Sequence, residues 1–381
     1  MVNKQTALKL LKLVAKGSIS LLAYDLIYRL KHPLKQTSAK EVDIRTLEIP
    51  LYPNLKWVDE LDYESQMNNF AKPFIQQYEY TGQIPVNGMS LSYSFYLKDK
   101  HLPTMFIAHG FNEYKEKYQE MVYYFLQLNY NVLVYDARGH GGSRINPSKT
   151  LIDISEFDDY VEDLRMVIES VKKTYGVEGP LYLFGHSMGG AVSTMFLRKY
   201  PEVFKAAILS SPMLSVDTHP YPRSVTHALA RGAQFFNMGQ KPIPSQGSND
   251  VVEASTRSST YRPNPNLTKS QYREKYYFQV RKAAITHPTS GGTLNWLNAS
   301  MSGLKNTTQK SVLQNINTPI LMFRSVEDII VRADGIYTGA TYLPRIELIS
   351  IPNAGHEIYQ EHDEVLRPYF SLIGYYLDQF N

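Results

Sequence analysis

The stretch from Leu181 to Gly190 carries an apolar, β-rich run straight through Gly185-His186-Ser187-Met188-Gly189 into a helical pattern over residues 188–199. A G-x-S-x-G pentapeptide between a strand and a helix demands a very tight turn, for which the flanking glycines are needed. It leaves the Ser187 hydroxyl projecting from the carboxyl edge of a sheet. Few architectures accept that turn, so the rest of the chain is read around it. Further strands are predicted at 74–80, 91–97, 104–108, 131–135, 181–184, 206–209, 320–323 and 346–351, with helices at 117–128, 156–175, 188–199 and 361–379. Strand and helix in alternation give the α/β class, with a doubly wound, mostly parallel sheet.

Residues 211–312 break the rhythm. They are rich in Ser, Pro, Asn and Tyr and hold no convincing buried strand. A structureless loop of that length does not belong in a compact domain, so an inserted, mainly helical cap is expected there. The resulting division is a basic amphipathic segment at 1–40, a core at 41–210 and 313–381, and a cap at 211–312.

A serine hydroxyl attacks well only when a base takes its proton and a third group holds that base in the right tautomer. After Ser187 the candidate bases are His219, His227, His287, His356 and His362. His356 lies in Asn353-Ala354-Gly355-His356-Glu357, just past the last predicted strand, where a loop can reach Ser187; His362 starts the following helix and is the weaker choice. The acid is expected to leave the strand before, where Glu327 and Asp328 are adjacent; Asp328 is preferred. The developing oxyanion needs backbone donors. Those are the amides of Met188, next to the nucleophile, and of Phe111 in His109-Gly110-Phe111-Asn112-Glu113. His109 is read as shaping that loop, and Asp136, Arg138 and His140 of the neighbouring glycine-rich loop as architectural.

Other chemistries fail on spacing. His356-Glu357-Ile358-Tyr359-Gln360 has Gln where a zincin needs its second His, and neither a phosphate loop nor G-x-G-x-x-G occurs. With no cysteine among the 381 residues, thiol nucleophiles and Cys-ligated metals are excluded.

The formal charge of +4 is uneven. Residues 1–40 hold eight basic residues against Asp25, leaving 32 basic and 35 acidic residues for the remainder. A basic arm on a slightly acidic body does not read as a nucleic-acid-binding domain, so no nucleic-acid partner is expected. From residue 7 to 30 the polar positions recur every three to five residues, as in an amphipathic helix with a basic stripe. No window approaches about 18 uncharged apolar residues, as a membrane span would require. The apolar stretch is also short for a secretory signal and lacks a cleavage site. Two readings stand for residues 1–33: adsorption to an anionic bilayer, or packing on the protein itself. The expected location is the cytoplasm, with peripheral contact at the inner membrane face, rather than secretion.

The motifs taken together resemble the α/β-hydrolase superfamily, and within it the serine hydrolases that include monoacylglycerol lipases and lysophospholipase L2. The matching pieces are His109 to Glu113, Asp136-Ala137-Arg138-Gly139-His140-Gly141-Gly142-Ser143, Gly185 to Gly190, Ser210-Ser211-Pro212-Met213, Asp328-Ile329-Ile330-Val331 and Gly355-His356-Glu357, with Gly291-Gly292-Thr293-Leu294-Asn295-Trp296-Leu297 a looser match in the cap. They span about residues 75–381. The resemblance implies ester hydrolysis through an acyl-enzyme, without metal or cofactor, by Ser187, Asp328 and His356. A serine in the elbow separates the chain from relatives that place Asp there, and its oxyanion loop lacks the HGGPG of prolyl aminopeptidases. Arg324 and Ser325 stand where small residues are usual before the acid. The expected substrate is a single-chain lipid ester; the alternatives are short or polar acyl esters, or a catalytically silent binding protein.

Overall fold

A computed structural model describes residues 40–144, 146, 149–216, 218, 223–244, 260–283 and 289–381. Residues 1–39 of the basic N-terminal segment and the candidate bases His219 and His287 lie outside the described residues. The main sheet contains β1 (Glu41–Asp43), β2 (Glu79–Val86), β3 (Met89–Tyr96), β4 (Thr104–Ala108), β5 (Asn131–Tyr135), β7 (Leu181–His186), β8 (Ala206–Ser210), β10 (Ile320–Ser325) and β11 (Ile346–Ile351). Its order is β1-β11-β10-β8-β7-β4-β5-β3-β2, parallel from β1 to β5 and antiparallel at the β5–β3–β2 end. A separate two-stranded ladder pairs β6 (Leu151–Ile152) with β9 (Gly291–Gly292).

The central strands are apolar along their whole length because helices cover both faces. Alternate residues enter different cores: Phe106, Leu133, Leu183 and Met322 join one, while Met105, Val132, Phe184 and Phe323 join the other. The first core is closed by α2 (Asp158–Tyr175), α3 (Met188–Lys199) and α7 (Ala333–Tyr342), the second by α1 (Gln119–Gln127) and α8 (Asp363–Asp378). Acids at the start of α2, lysines in its last turn and Gly176 at φ 63° beyond it follow the charge and capping preferences of a helix.

Within 211–312 the described residues form α4 (Arg223–Phe235), α5 (Gln271–Ala283) and α6 (Leu294–Thr307), with a short helix at Lys310–Leu313. Helices α4 and α6 pack together. Helix α5 instead joins the second core, and its Arg273 is fully buried. The guanidinium donates to Glu120 at 2.9–3.3 Å, to Asp363 at 2.7 Å and to the Glu361 carbonyl at 2.9 Å, and lies over the Tyr63 ring.

The predicted strand at 74–80 is corrected by the structure. Residues 63–76 are helical, with Pro73 in the first turn of the segment Lys72–Gln76, and the strand begins only at Glu79. Ile75 is buried against α1 and the other core helices, and a short apolar run does not by itself separate helix from strand. Elements absent from the expected set also appear, among them α7, β1 at the sheet edge and the short β6–β9 ladder, whose second strand lies within the cap stretch.

Removing Arg273 would strand the Glu120 carboxylate in the core. Arg273→Ala is expected to lower stability by about 3–5 kcal/mol in urea denaturation.

Candidate active site

β4 lies between β5 and β7, so the connections from β4 and β7 diverge at their carboxyl ends, where α/β sheets bind ligands. Ser187 occupies that edge as the residue between β7 and α3. Its backbone adopts φ 51° and ψ −116°, a strained conformation for a side chain with a Cβ. The turn is held from several sides. Ser187 N donates to Ser210 O at 3.1 Å, while the amides of Gly190, Ala191 and Met213 converge on the Ser187 carbonyl. Gly189 is required by close approach, since a Cβ there would overlap the Ala108 and His109 carbonyl oxygens.

That approach brings the loop after β4 across the start of α3. Among the described residues neither the Phe111 nor the Met188 amide donates a hydrogen bond within the protein. The loop is fixed by its flanks. His109 Nε2 accepts from Ala137 N at 2.8 Å, which leaves Nδ1 to donate to Gly110 O at 2.7 Å. Glu113 accepts from Gly110 N at 2.6 Å, from the Tyr118 and Tyr359 hydroxyls at 2.7 Å and from Lys117 at 3.0 Å. Burial alone would raise the Glu113 pKa, but the Lys117 ammonium and these donors outweigh it and hold the carboxyl well below its usual range. Glu357, on the other side of Lys117 at 2.5 Å, is pushed up by burial and has no comparable set of donors.

His356 Nδ1 lies 2.6 Å from Asp328 Oδ2, with both side chains buried. The other Asp328 oxygen accepts from the amides of Ile330 and Val331 at 2.8 and 3.1 Å, so the carboxylate is aimed. Glu327 instead pairs with Lys269, His362 with Glu60, and His227 with Ser302. The His356 ring is 4.8 Å from that of His186, the residue before Ser187, which brings the base to the elbow. Burial and the neighbouring His356 contribute to lowering the His186 pKa to about 3, so that ring is neutral and donates through Nδ1 to Ser210 O. Asp136 accepts from Lys115 N and Gly142 N, and Arg138 forms a two-bond pair with Asp163.

Several contributors carry no motif of their own. The His356 and Glu357 amides donate to the Asn266 and Leu267 carbonyls, so a segment beside α5 supports the histidine loop. The Trp296 ring of α6 packs at a 40° tilt against Phe111, with 4.1 Å between centroids, and Arg281 of α5 reaches Asn112 at 3.2 Å. Ser325 and Arg324, unusual before the acid, act as ties: Ser325 Oγ donates to Ala354 O at 2.7 Å, and Arg324 pairs with Glu41 of β1.

With this geometry in view, the family model described as serine aminopeptidase, S33 matches residues 99–363. A probable lysophospholipase L2 of Haemophilus influenzae is 27% identical over 276 residues, 72% of this chain and 83% of that protein. The monoglyceride lipase of Rattus norvegicus is 34% identical over 133 residues, 35% of this chain and 41% of that one. Among solved structures, a soluble variant of monoglyceride lipase from Saccharomyces cerevisiae superposes with a TM-score of 0.63 at 18% identity, covering 80% of this chain and 96% of that one, and shares its fold.

Steric need at Gly189 is testable against a glycine with free space. Gly189→Ala is expected to destabilise by about 1–3 kcal/mol through overlap with backbone that cannot yield. Gly232→Ala, on α4 with nothing near its added Cβ, is expected to stabilise by roughly 0.5–1 kcal/mol in the same denaturation assay.

Proposed function

We propose that this chain, which belongs to the serine aminopeptidase S33 family of hydrolases, cleaves the carboxylic esters of single-chain lipids, as a lysophospholipase or monoacylglycerol lipase does. The observation that carries the reading is the strained Ser187 beside the His356–Asp328 couple, with the Phe111 and Met188 amides unspent. In the proposed reaction His356 takes the Ser187 proton as Oγ adds to the ester carbonyl. The two amides receive the oxyanion, and the protonated imidazole delivers its proton to the leaving alcohol. Water then enters by the same steps in reverse order and releases the fatty acid. Asp328 keeps the imidazole in the tautomer that presents Nε2 to the serine and offsets the positive charge that forms on it.

A lipid ester rather than a peptide is supported by the names of the curated relatives and by a Phe111-Asn112 sequence in the oxyanion loop. Helices α4 and α6 serve in this reading as the cap over the acyl chain. Residues 1–33 serve as the arm that brings the enzyme to an anionic bilayer.

Ser187→Ala is expected to abolish turnover of a long-chain lysophospholipid and of a monoacylglycerol, and Asp328→Asn to lower kcat by about 10⁴-fold. Retained hydrolysis by Ser187→Ala would refute the mechanism. Across esters of increasing acyl length, kcat/KM should rise in line with about 0.8 kcal/mol per buried CH₂. A preference confined to short acyl chains would favour a carboxylesterase instead. Deleting residues 1–33 is expected to weaken liposome binding while sparing hydrolysis of a soluble ester; an unfolded truncated protein would mean that the arm packs on the body.

A further inference from the structure

Helix α4 presents Arg223, His227 and Arg231 at intervals of four, hence on one face, and α6 brings Lys305 against the same space. Together with Leu214, Met301 and Leu304 they bound a cavity of about 480 Å³. The three apolar residues are buried and form its floor, while the cations stand at its rim. Like charges repeated on one helix face repel, and neither helix carries an acid to relieve them. The stretches 223–244 and 289–319 contain Arg223, Arg231, Lys241, Lys305 and Lys310 and not one Asp or Glu.

Of the rim cations Arg223 is paired, with Asp334 at 2.9 Å, a carboxylate that Arg332 shares at 3.2 Å. Arg231 and Lys305 have no ion-pair partner among the described residues. Both line the same cavity as His227, whose pKa is lowered by burial and then by these two charges. The imidazole is therefore neutral near pH 7 and hydrogen-bonds Ser302.

The cavity adjoins the elbow. Met213 N, next to the lining residue Leu214, donates to Ser187 O at 2.8 Å, and Val216 bridges to Val331, whose amide holds Asp328. The cavity thus shares with the elbow the segment that follows β8, from Met213 to Val216.

We propose that this cavity is an anion site, formed by Arg231 and Lys305 over the Leu214–Met301–Leu304 floor, that receives the phosphate of a single-chain phospholipid. As a statement about turnover it rests on the lipid-ester reading above. As a statement about binding it does not, because ether-linked lipids lack the ester that Ser187 would cleave.

The test uses full-length protein and calorimetric titration below the micelle concentration with three probes: an ether-linked single-chain glycerophosphate, the neutral ether-linked glyceride of the same chain, and inorganic phosphate. The phosphate lipid is expected to bind at least roughly tenfold more tightly than the neutral one, the scale of a hydrogen bond to a charged group. Arg231→Gln/Lys305→Gln is expected to remove that difference, and Lys241→Gln, outside the cavity, to keep it. Inorganic phosphate should compete with the phosphate lipid but bind more weakly, since it gains nothing from the floor. The proposal fails if wild type shows no preference, if the preference survives the double substitution, if Lys241→Gln erases it equally, or if inorganic phosphate binds as tightly as the lipid. A preference that behaves as expected in a protein that hydrolyses no lipid ester would overturn the lipid-ester reading alone.

Discussion

The close passage of the β4 loop over the first turn of α3 is the constraint on which the site depends. It needs a residue without a side chain at Gly189, and it lays the Ala108 and His109 carbonyls against the first turn of a helix. A non-glycine residue held at φ 51° costs of order 1–3 kcal/mol and persists only when its surroundings over-determine it. Here they do. Four backbone hydrogen bonds made through the Ser187 amide and carbonyl fix the turn from β8, from α3 and from the Met213 segment at once. The strain therefore has a consequence for chemistry: the serine cannot relax into the helix, and its amide neighbour cannot turn inward to find a partner.

The loops around that turn share one solution to a common difficulty. Irregular backbone at the buried edge of a sheet carries N–H groups that neither a ladder nor water can satisfy. Carboxylates do it instead. Glu113 holds Gly110 N, Asp136 holds Lys115 N and Gly142 N, Asp328 holds Ile330 N and Val331 N, and Glu361 holds Gly355 N and Lys269 N. Each is buried or nearly so, and Glu113 and Asp136 gain a lysine as well. Asp328 differs from the others in having one oxygen left for a histidine, which makes a loop-organising acid into the partner of a base.

What could be read from the sequence follows from how local each cause is. The elbow was legible because strand, turn and helix are contiguous. The Asp328 and His356 positions followed because each lies just after a strand whose apolar run is unmistakable. Residues 74–80 misled because Phe74 and Ile75 give the same short apolar signal in a helix as in a strand. Arg273 left no signal at all: its partners are Glu120 and Asp363, on helices far apart in the chain, and a lone arginine in a polar stretch reads as surface. The carbonyls of Asn266 and Leu267 under His356 are silent for the same reason, since a backbone acceptor can belong to any residue type.

Charge shows how much a sum conceals. Outside the first forty residues the chain is slightly acidic, which by itself argues against anionic ligands. The structure resolves that balance into separate regions. Acids of the core are consumed as loop holders or paired with buried cations, whereas α4 and α6 expose Arg231 and Lys305 without an acid of their own. Fields at contact range are set by such local imbalance, because charges more than about 10 Å apart are largely screened at physiological salt. In the proposed reaction the elbow and the Phe111 and Met188 amides fix which bond is attacked. They are made of backbone and shared motifs, so they cannot distinguish one ester of glycerol from another. In the proposal made above, that distinction falls to the side chains of α4 and α6, where an apolar floor lies next to cations that have no ion-pair partner among the described residues.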